Sequence, residues 1–248
     1  MHKRWRDIKP FLEQTFGAER IAIIKDRLRL ISTLFGKGRM LPYRYYLPSL
    51  AEFLGKKGEA AEIGVWRGKY SEIILKNNCF TVLYSIDPWK KFSSEEYVDL
   101  KNVSRDRLDE AYAMAKTQLS RYGAMSKIIR STSREASRTF PDHALDFVYI
   151  DANHSYAGCR DDITAWWPKV TEGGIIAGDD YVNRRTAQDD FGVKRAVDEF
   201  AEKHGQKLYA TYEQHPSWYI IKNGGVKKSA LFSFLWKEIP RIVRRLRA

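Results

Sequence analysis

Two alternating patterns of apolar and polar positions run through most of the chain. Short runs rich in β-branched and aromatic residues read as strands: EAAEIG (59–64), TVLYSID (81–87), SKIIR (126–130), ALDFVYID (144–151), GGIIAGDD (173–180), KLYATYEQ (207–214) and SWYIIKN (217–223). Between them, apolar residues recur at helical spacing. This predicts helices over PSLAEFLGKKG (48–58), from Tyr70 to Asn77, within 93–123, over 156–170 and over 192–204. Strands that alternate with helices imply an α/β, doubly wound, Rossmann-like sheet. The expected sheet is seven-stranded and mostly parallel, with helices on both faces and the last two strands as an antiparallel hairpin at one edge.

The flanking segments have a different pattern. AERIAIIKDRLRLISTLF (18–35) reads as a basic amphipathic helix with Ile21, Ile24, Leu28 and Ile31 on one face. GKGRMLPYRYYLP (36–48) is broken by Gly and Pro and reads as a connector. At the other end, SALFSFLWKEIPRIVRRLRA (229–248) is again basic and amphipathic, with Pro240 a kink or a second helix start. The expected organisation is therefore a helical extension over 1–48, one domain over 49–225, and a C-terminal helix over 226–248.

Charge sharpens this division. The net charge of +12 resides in the ends: residues 1–40 and 226–248 contribute +6 each, and the middle is neutral. A neutral centre argues against a nucleic-acid enzyme with a basic active-site groove. The C-terminal helix suits an anionic membrane surface equally with packing on the domain or on a second subunit. Hydrophobic residues make up 44% of the chain, enough for a core. The basic start MHKRWRDIKPF lacks the apolar segment of a secretion signal, and the two cysteines, Cys79 and Cys159, form neither a disulfide framework nor a zinc spacing. The expected setting is cytoplasmic, with peripheral contact at the inner face of the membrane if the C-terminal helix binds lipid.

Candidate chemistry lies at the strand ends, where open α/β sheets bind ligands. Glu62 with Gly64, then Asp87, Asp151 and the Asp179–Asp180 pair terminate four of the predicted strands, and Ser131–Ser133 follows a fifth. Gly64 and Gly68 allow backbone to approach a ligand, but their spacing is not that of the dinucleotide fingerprint. Glu62 would repel a pyrophosphate and attract a cation. Asp87 ends the next strand, where an acid accepts bonds from ribose hydroxyls. An adenosine-containing ligand without phosphates fits both. The adjacent Asp179 and Asp180 repel each other, and a divalent cation would offset that repulsion. The alternative is a solvated Asp179 beside a turn-capping Asp180.

EIGVWRG, LYSIDPW, ALDFVYIDANHSY and GGIIAGDDY, in this order, resemble the motifs of class I S-adenosylmethionine-dependent methyltransferases. More narrowly they resemble the metal-dependent sugar and small-molecule O-methyltransferase branch, of which macrocin O-methyltransferase is an example. The resemblance implies that Glu62, Gly64, Gly68 and Asp87 hold the methionine part and ribose of the cofactor, with Ser131, Thr132 and Ser133 bordering adenine. It also implies Asp151, Asp179 and Asp180 as ligands of Mg²⁺ or another divalent ion. Where that branch often has an acid, this chain has Asn153, which cannot take a proton; His154 beside it has an ordinary pKa near 6.5 that suits a base. Expected catalytic residues are His154 and Asp151, and the expected acceptor is a hydroxyl of a glycan or small molecule. Two other classes stay open: a metal-independent methyltransferase of RNA or protein, and a non-catalytic binding module that keeps the fold.

Overall fold

A computed structural model describes residues 17–18, 20–21, 39–93, 103–185, 190–225, 233, 236–237 and 240. Most of the two predicted terminal helices lies outside the described residues.

An eight-stranded sheet forms the centre. Its strands are β1 (Arg39–Leu41), β2 (Glu59–Ile63), β3 (Val82–Ile86), β4 (Ser126–Ile129), β5 (Leu145–Ile150), β6 (Val170–Gly178), β9 (Leu208–Thr211) and β10 (Trp218–Ile221). Their spatial order is β1-β9-β10-β6-β5-β2-β3-β4. Only β10 runs against the rest, pairing antiparallel with both β6 and β9. A separate two-stranded pair, β7 (Arg184–Arg185) and β8 (Asp190–Phe191), lies beyond β6.

The seven predicted strands are all present, and one more joins them. Arg39–Leu41 falls in the stretch read as a connector, yet it pairs parallel with β9 and takes the edge that the sequence assigned to the hairpin. Three residues between Gly38 and Pro42 are too few to show an alternating pattern, so propensity carried no signal here. Tertiary packing supplies the strand instead, because Leu41 is fully buried.

Side-chain alternation divides the core into two layers. Phe147, Tyr149, Ile175 and Ala177 face helices α1 (Leu47–Phe53), α2 (Lys69–Asn77) and α3 (Arg105–Leu119). Val148, Ile150 and Ile176 face the opposite layer, α4 (Ser133–Ser137), α5 (Tyr156–Trp166) and α6 (Val193–Lys203). Near-continuous apolar strands are what burial on both faces demands. The chain leaves β2 toward β3 and β4, then crosses back to β5 and β6. The order therefore reverses between β2 and β5, which opens a crevice at their carboxyl ends.

Candidate active site

On one side of this crevice, the turn after β2 is shaped by glycine. Gly64 has φ +87°, and a Cβ placed there would lie 1.9 Å from the Asp151 carbonyl oxygen. No side chain fits, so the turn and the end of β5 touch through backbone alone. Gly68, at φ +78°, starts α2. Asp87 closes the turn: its Oδ2 accepts the amides of Val65 and Trp66, each at 2.9 Å, and its Oδ1 accepts that of Trp89 at 2.7 Å. Burial raises the Asp87 pKa, and these three amide bonds partly offset that. Trp89 is buried, donating to the Trp66 carbonyl and packing on Tyr112, which is a structural role.

Two of the expected cofactor positions point inward. Glu62 is almost completely buried below the turn and accepts from Ser71, which in turn receives the Ser85 hydroxyl at 3.1 Å. Burial holds its carboxyl well above the ordinary range. Ser133 accepts the Trp166 indole N–H at 2.9 Å. Thr132 caps α4, exchanging bonds with Glu135 in a capping box, and Ser131 Oγ lies 3.4 Å from the same carboxylate. The turn at 131–133 still stands beside the end of β3, because the Asp87 amide donates to the Ile129 carbonyl.

On the other side, the three expected acids converge. His154 Nε2 lies 3.2 Å from Asp151 and 3.7 Å from Asp180. Its ring stacks on Phe191, with centroids 4.9 Å apart. His215, on the turn between β9 and β10, reaches Asp180 at 3.5 Å. His154 is 13% exposed and His215 60%, so the first sits within the site and the second at its rim. Asp180 adopts φ +48°, a left-handed conformation that Asp tolerates in turns.

Arg44, which the sequence reading passed over, completes the cluster. Its guanidinium pairs with Asp179 and lies 3.8 Å from Asp151 and 3.4 Å from the Tyr149 hydroxyl. The backbone of Arg44 is tied down as well. Its amide donates to Glu213 at 2.9 Å and its carbonyl accepts the Tyr70 hydroxyl at 3.0 Å. The side chain also lies over the Tyr70 ring. Ser217 donates to the other oxygen of Asp179 at 3.0 Å. Burial and the neighbouring charge of Asp151 push the Asp179 carboxyl up to about 7, against the opposing pull of Arg44. Burial opposes the Arg44 charge, but Tyr149, Asp179 and Asp151 outweigh it, and its pKa is raised.

A cleft of about 540 Å³ opens over this cluster, lined by Arg44, Asp179, Asp180, Arg184, Glu213 and His215 among others. As a metal site the cluster fits poorly. The donors are the hard oxygens a divalent ion prefers, but Arg44 lies against two of the three acids, and both oxygens of Asp179 already accept protein donors. Among the described residues, no group of three or more His, Cys, Asp or Glu side chains is arranged to hold a metal ion.

Comparison with known proteins bears on the fold. Residues 61–181 match a family described as a methyltransferase domain, a stretch running from β2 to just past Asp180. No curated protein matches at a significant level. Among solved structures, an O-methyltransferase from Bacillus cereus in complex with SAH aligns over 90% of this chain and 100% of its own, at 12% identity and TM-score 0.52. A Corynebacterium glutamicum protein aligns over 88% and 97%, at 16% identity and TM-score 0.53. A candidate caffeoyl-CoA O-methyltransferase from Staphylococcus aureus aligns over 87% and 98%, at 12% identity and TM-score 0.52. The molecule has the Rossmann-like fold of these methyltransferases, and residues 61–181 are similar to a methyltransferase domain. The narrower resemblance to the metal-dependent, sugar-modifying branch is not carried by these matches.

Proposed function

We propose that this protein is an S-adenosylmethionine-dependent O-methyltransferase acting on a hydroxyl of a sugar, a glycan or another small polar molecule. The observation that carries the proposal is the contact of Gly64 with the Asp151 backbone. It joins the glycine turn and Asp87 to the Asp151–Asp179–Asp180 cluster, so donor and acceptor share one crevice.

In this reading Asp87 and the 64–68 turn hold the ribose and methionine part of the donor, and Ser131–Ser133 borders its adenine. Methyl transfer is an in-line displacement and depends first on alignment. His154, held by Asp151, takes the hydroxyl proton. A carboxylate beside an imidazole orients the ring and stabilises its charged form. The cleft mixes Arg44, Arg184 and His215 with Asp179, Asp180 and Glu213. That mixture suits a hydroxyl-rich acceptor better than a polyanion such as RNA. Magnesium assistance, which the three carboxylates suggested, enters no step here because Arg44 stands among those carboxylates.

Calorimetry with S-adenosylmethionine tests the reading. Binding at one site per chain, followed by label transfer from methyl-labelled donor to hydroxylated acceptors, is the expected result. A protein that gives neither heat nor thermal shift with the donor is a scaffold and not this enzyme. Attachment to anionic membranes through 226–248 is a separate proposal. Vesicle flotation of the full chain against a chain ending at 225 checks it.

A further inference from the structure

The acceptor side holds a cation of its own. We propose that Arg44 is the resident cation of this site, in the place between Asp151 and Asp179 where a divalent ion would otherwise sit, and that methyl transfer here requires no metal. The inference rests on reading the crevice as a methyl-transfer site, and three observations support it.

The first is placement. Through Nη1, Arg44 touches Asp179, approaches Asp151 at 3.8 Å, and meets the Tyr149 hydroxyl. A metal ion bound to the same two acids would bring two cationic centres into close contact, where like charges raise the energy of both. The second is engagement of the acids by protein groups. Asp179 accepts from Arg44 on Oδ2 and from Ser217 on Oδ1, while Asp151 and Asp180 both face His154. The third is construction. Arg44 is not a long side chain lying loosely across a surface. Glu213 and Tyr70 hold its backbone from opposite ends, Leu41 anchors the strand before it, and Tyr70 underlies its guanidinium. A cation fixed in this way stabilises charge that develops later without having to move.

The cleft gives this cation a task. As the acceptor oxygen bonds to the methyl carbon, the carbon–sulfur bond breaks and its electron pair remains on sulfur, leaving a neutral thioether. The hydroxyl proton passes to the His154 imidazole. Negative charge builds on the oxygen as the proton leaves, and Arg44, which lines the cleft, offsets it. A divalent ion would otherwise supply that stabilisation.

Metal binding tests this directly, with the full-length protein and Mn²⁺ as the probe, read by the electron paramagnetic resonance of the free ion. The wild type, with or without S-adenosylmethionine, is expected to leave millimolar Mn²⁺ free, and a chelator to leave methyl transfer unchanged. Arg44→Gln should gain one Mn²⁺ per chain, and Arg44→Gln with Asp179→Asn should lose it again. Arg44→Lys, which keeps the charge, should stay without Mn²⁺. The proposal is overturned if the wild type takes up one Mn²⁺ per chain and Asp179→Asn releases it. That measurement decides the matter even if Arg44→Gln does not fold. Donor binding is read separately by calorimetry; its failure would remove the methyl-transfer reading and leave the Mn²⁺ result standing.

Discussion

The two sides of the crevice are built from different materials. The donor side is almost entirely backbone: a glycine turn, a helix start, and one carboxylate that accepts three amides, two from that turn and one from its own loop. The acceptor side is almost entirely charged side chains, drawn from the ends of β5 and β6, from the turn after β1 and from the loop between β9 and β10. Backbone geometry of this kind is local and tolerates little change. A charge cluster tolerates substitution more readily, but each member depends on partners far along the chain. On the proposed function, the donor side serves methyl transfer in general, and the acceptor side is where the choice of acceptor is made.

If this contrast is right, Gly64→Ala should have the largest effect. A Cβ 1.9 Å from the Asp151 carbonyl forces the two sides apart, and the residue must also keep φ +87°. Overpacking with backbone strain costs on the order of 3 kcal/mol or more. Donor binding and transfer should both be lost, with a lower unfolding midpoint in denaturant melts. Retained donor affinity in this variant would break the account of the turn.

Asp179→Ala should come next and separate the two sides. Donor affinity measured by calorimetry should stay within about twofold, while transfer falls by roughly 100-fold or more, the usual scale for removing one electrostatic contact at a reacting centre. An equal loss of both would mean that the cluster serves the donor as well. Asp87→Ala should show the reverse pattern. Donor affinity should fall by roughly 10- to 100-fold, because the variant loses the proposed ribose contact and frees three amides, each worth about 1 kcal/mol. Turnover at saturating donor should change little.

The smallest expected effect on transfer is that of Asp162→Asn, which lies behind the crevice in α5. Burial pushes the Asp162 carboxyl up from 3.8 to about 7. The folded protein therefore binds this proton more tightly than the unfolded chain. Stability from this group is complete below pH 3.8 and is lost as pH rises through about 7. Asn, which cannot ionise, should flatten the stability profile over that window in thermal melts at stepped pH. An unchanged profile would mean that Asp162 does not carry the dependence.

The same contrast explains what the sequence could reveal. The seven main strands were legible because each carries a local pattern, and Asp87, Asp151 and Asp179–Asp180 were legible because each ends such a strand. Gly64 and Gly68 stood out because a strand followed by two glycines and a helix start is a short-range signal. Arg44, Glu213, Ser217 and Tyr149 left no comparable trace. Arg44 lies among tyrosines in a segment broken by Gly and Pro, and its partners Asp179 and Glu213 are 135 and 169 positions away. The docking of β1 on β9 brings them together. The inward turns of Glu62 and Ser133 were hidden for a related reason. Nothing in a β-strand pattern or a Ser-Thr-Ser run tells whether a polar group faces the ligand or a buried partner such as Ser71 or Trp166.

The short edge strand β1 also bears on how the site comes into being during synthesis. The ribosome releases Arg39–Leu41 long before Leu208–Thr211, the strand it pairs with. Until that late strand emerges, the turn that carries Arg44 has no strand to dock on and Asp179 lacks Ser217. Loop closure over such a span adds little cost per added residue, but three residues of edge pairing offer little to hold it. The Arg44–Asp179 pair therefore forms only after β9 has been made, once the turn after β1 has a strand to dock on. Amide exchange at Arg44, whose N–H is held by Glu213, should report opening of the site directly.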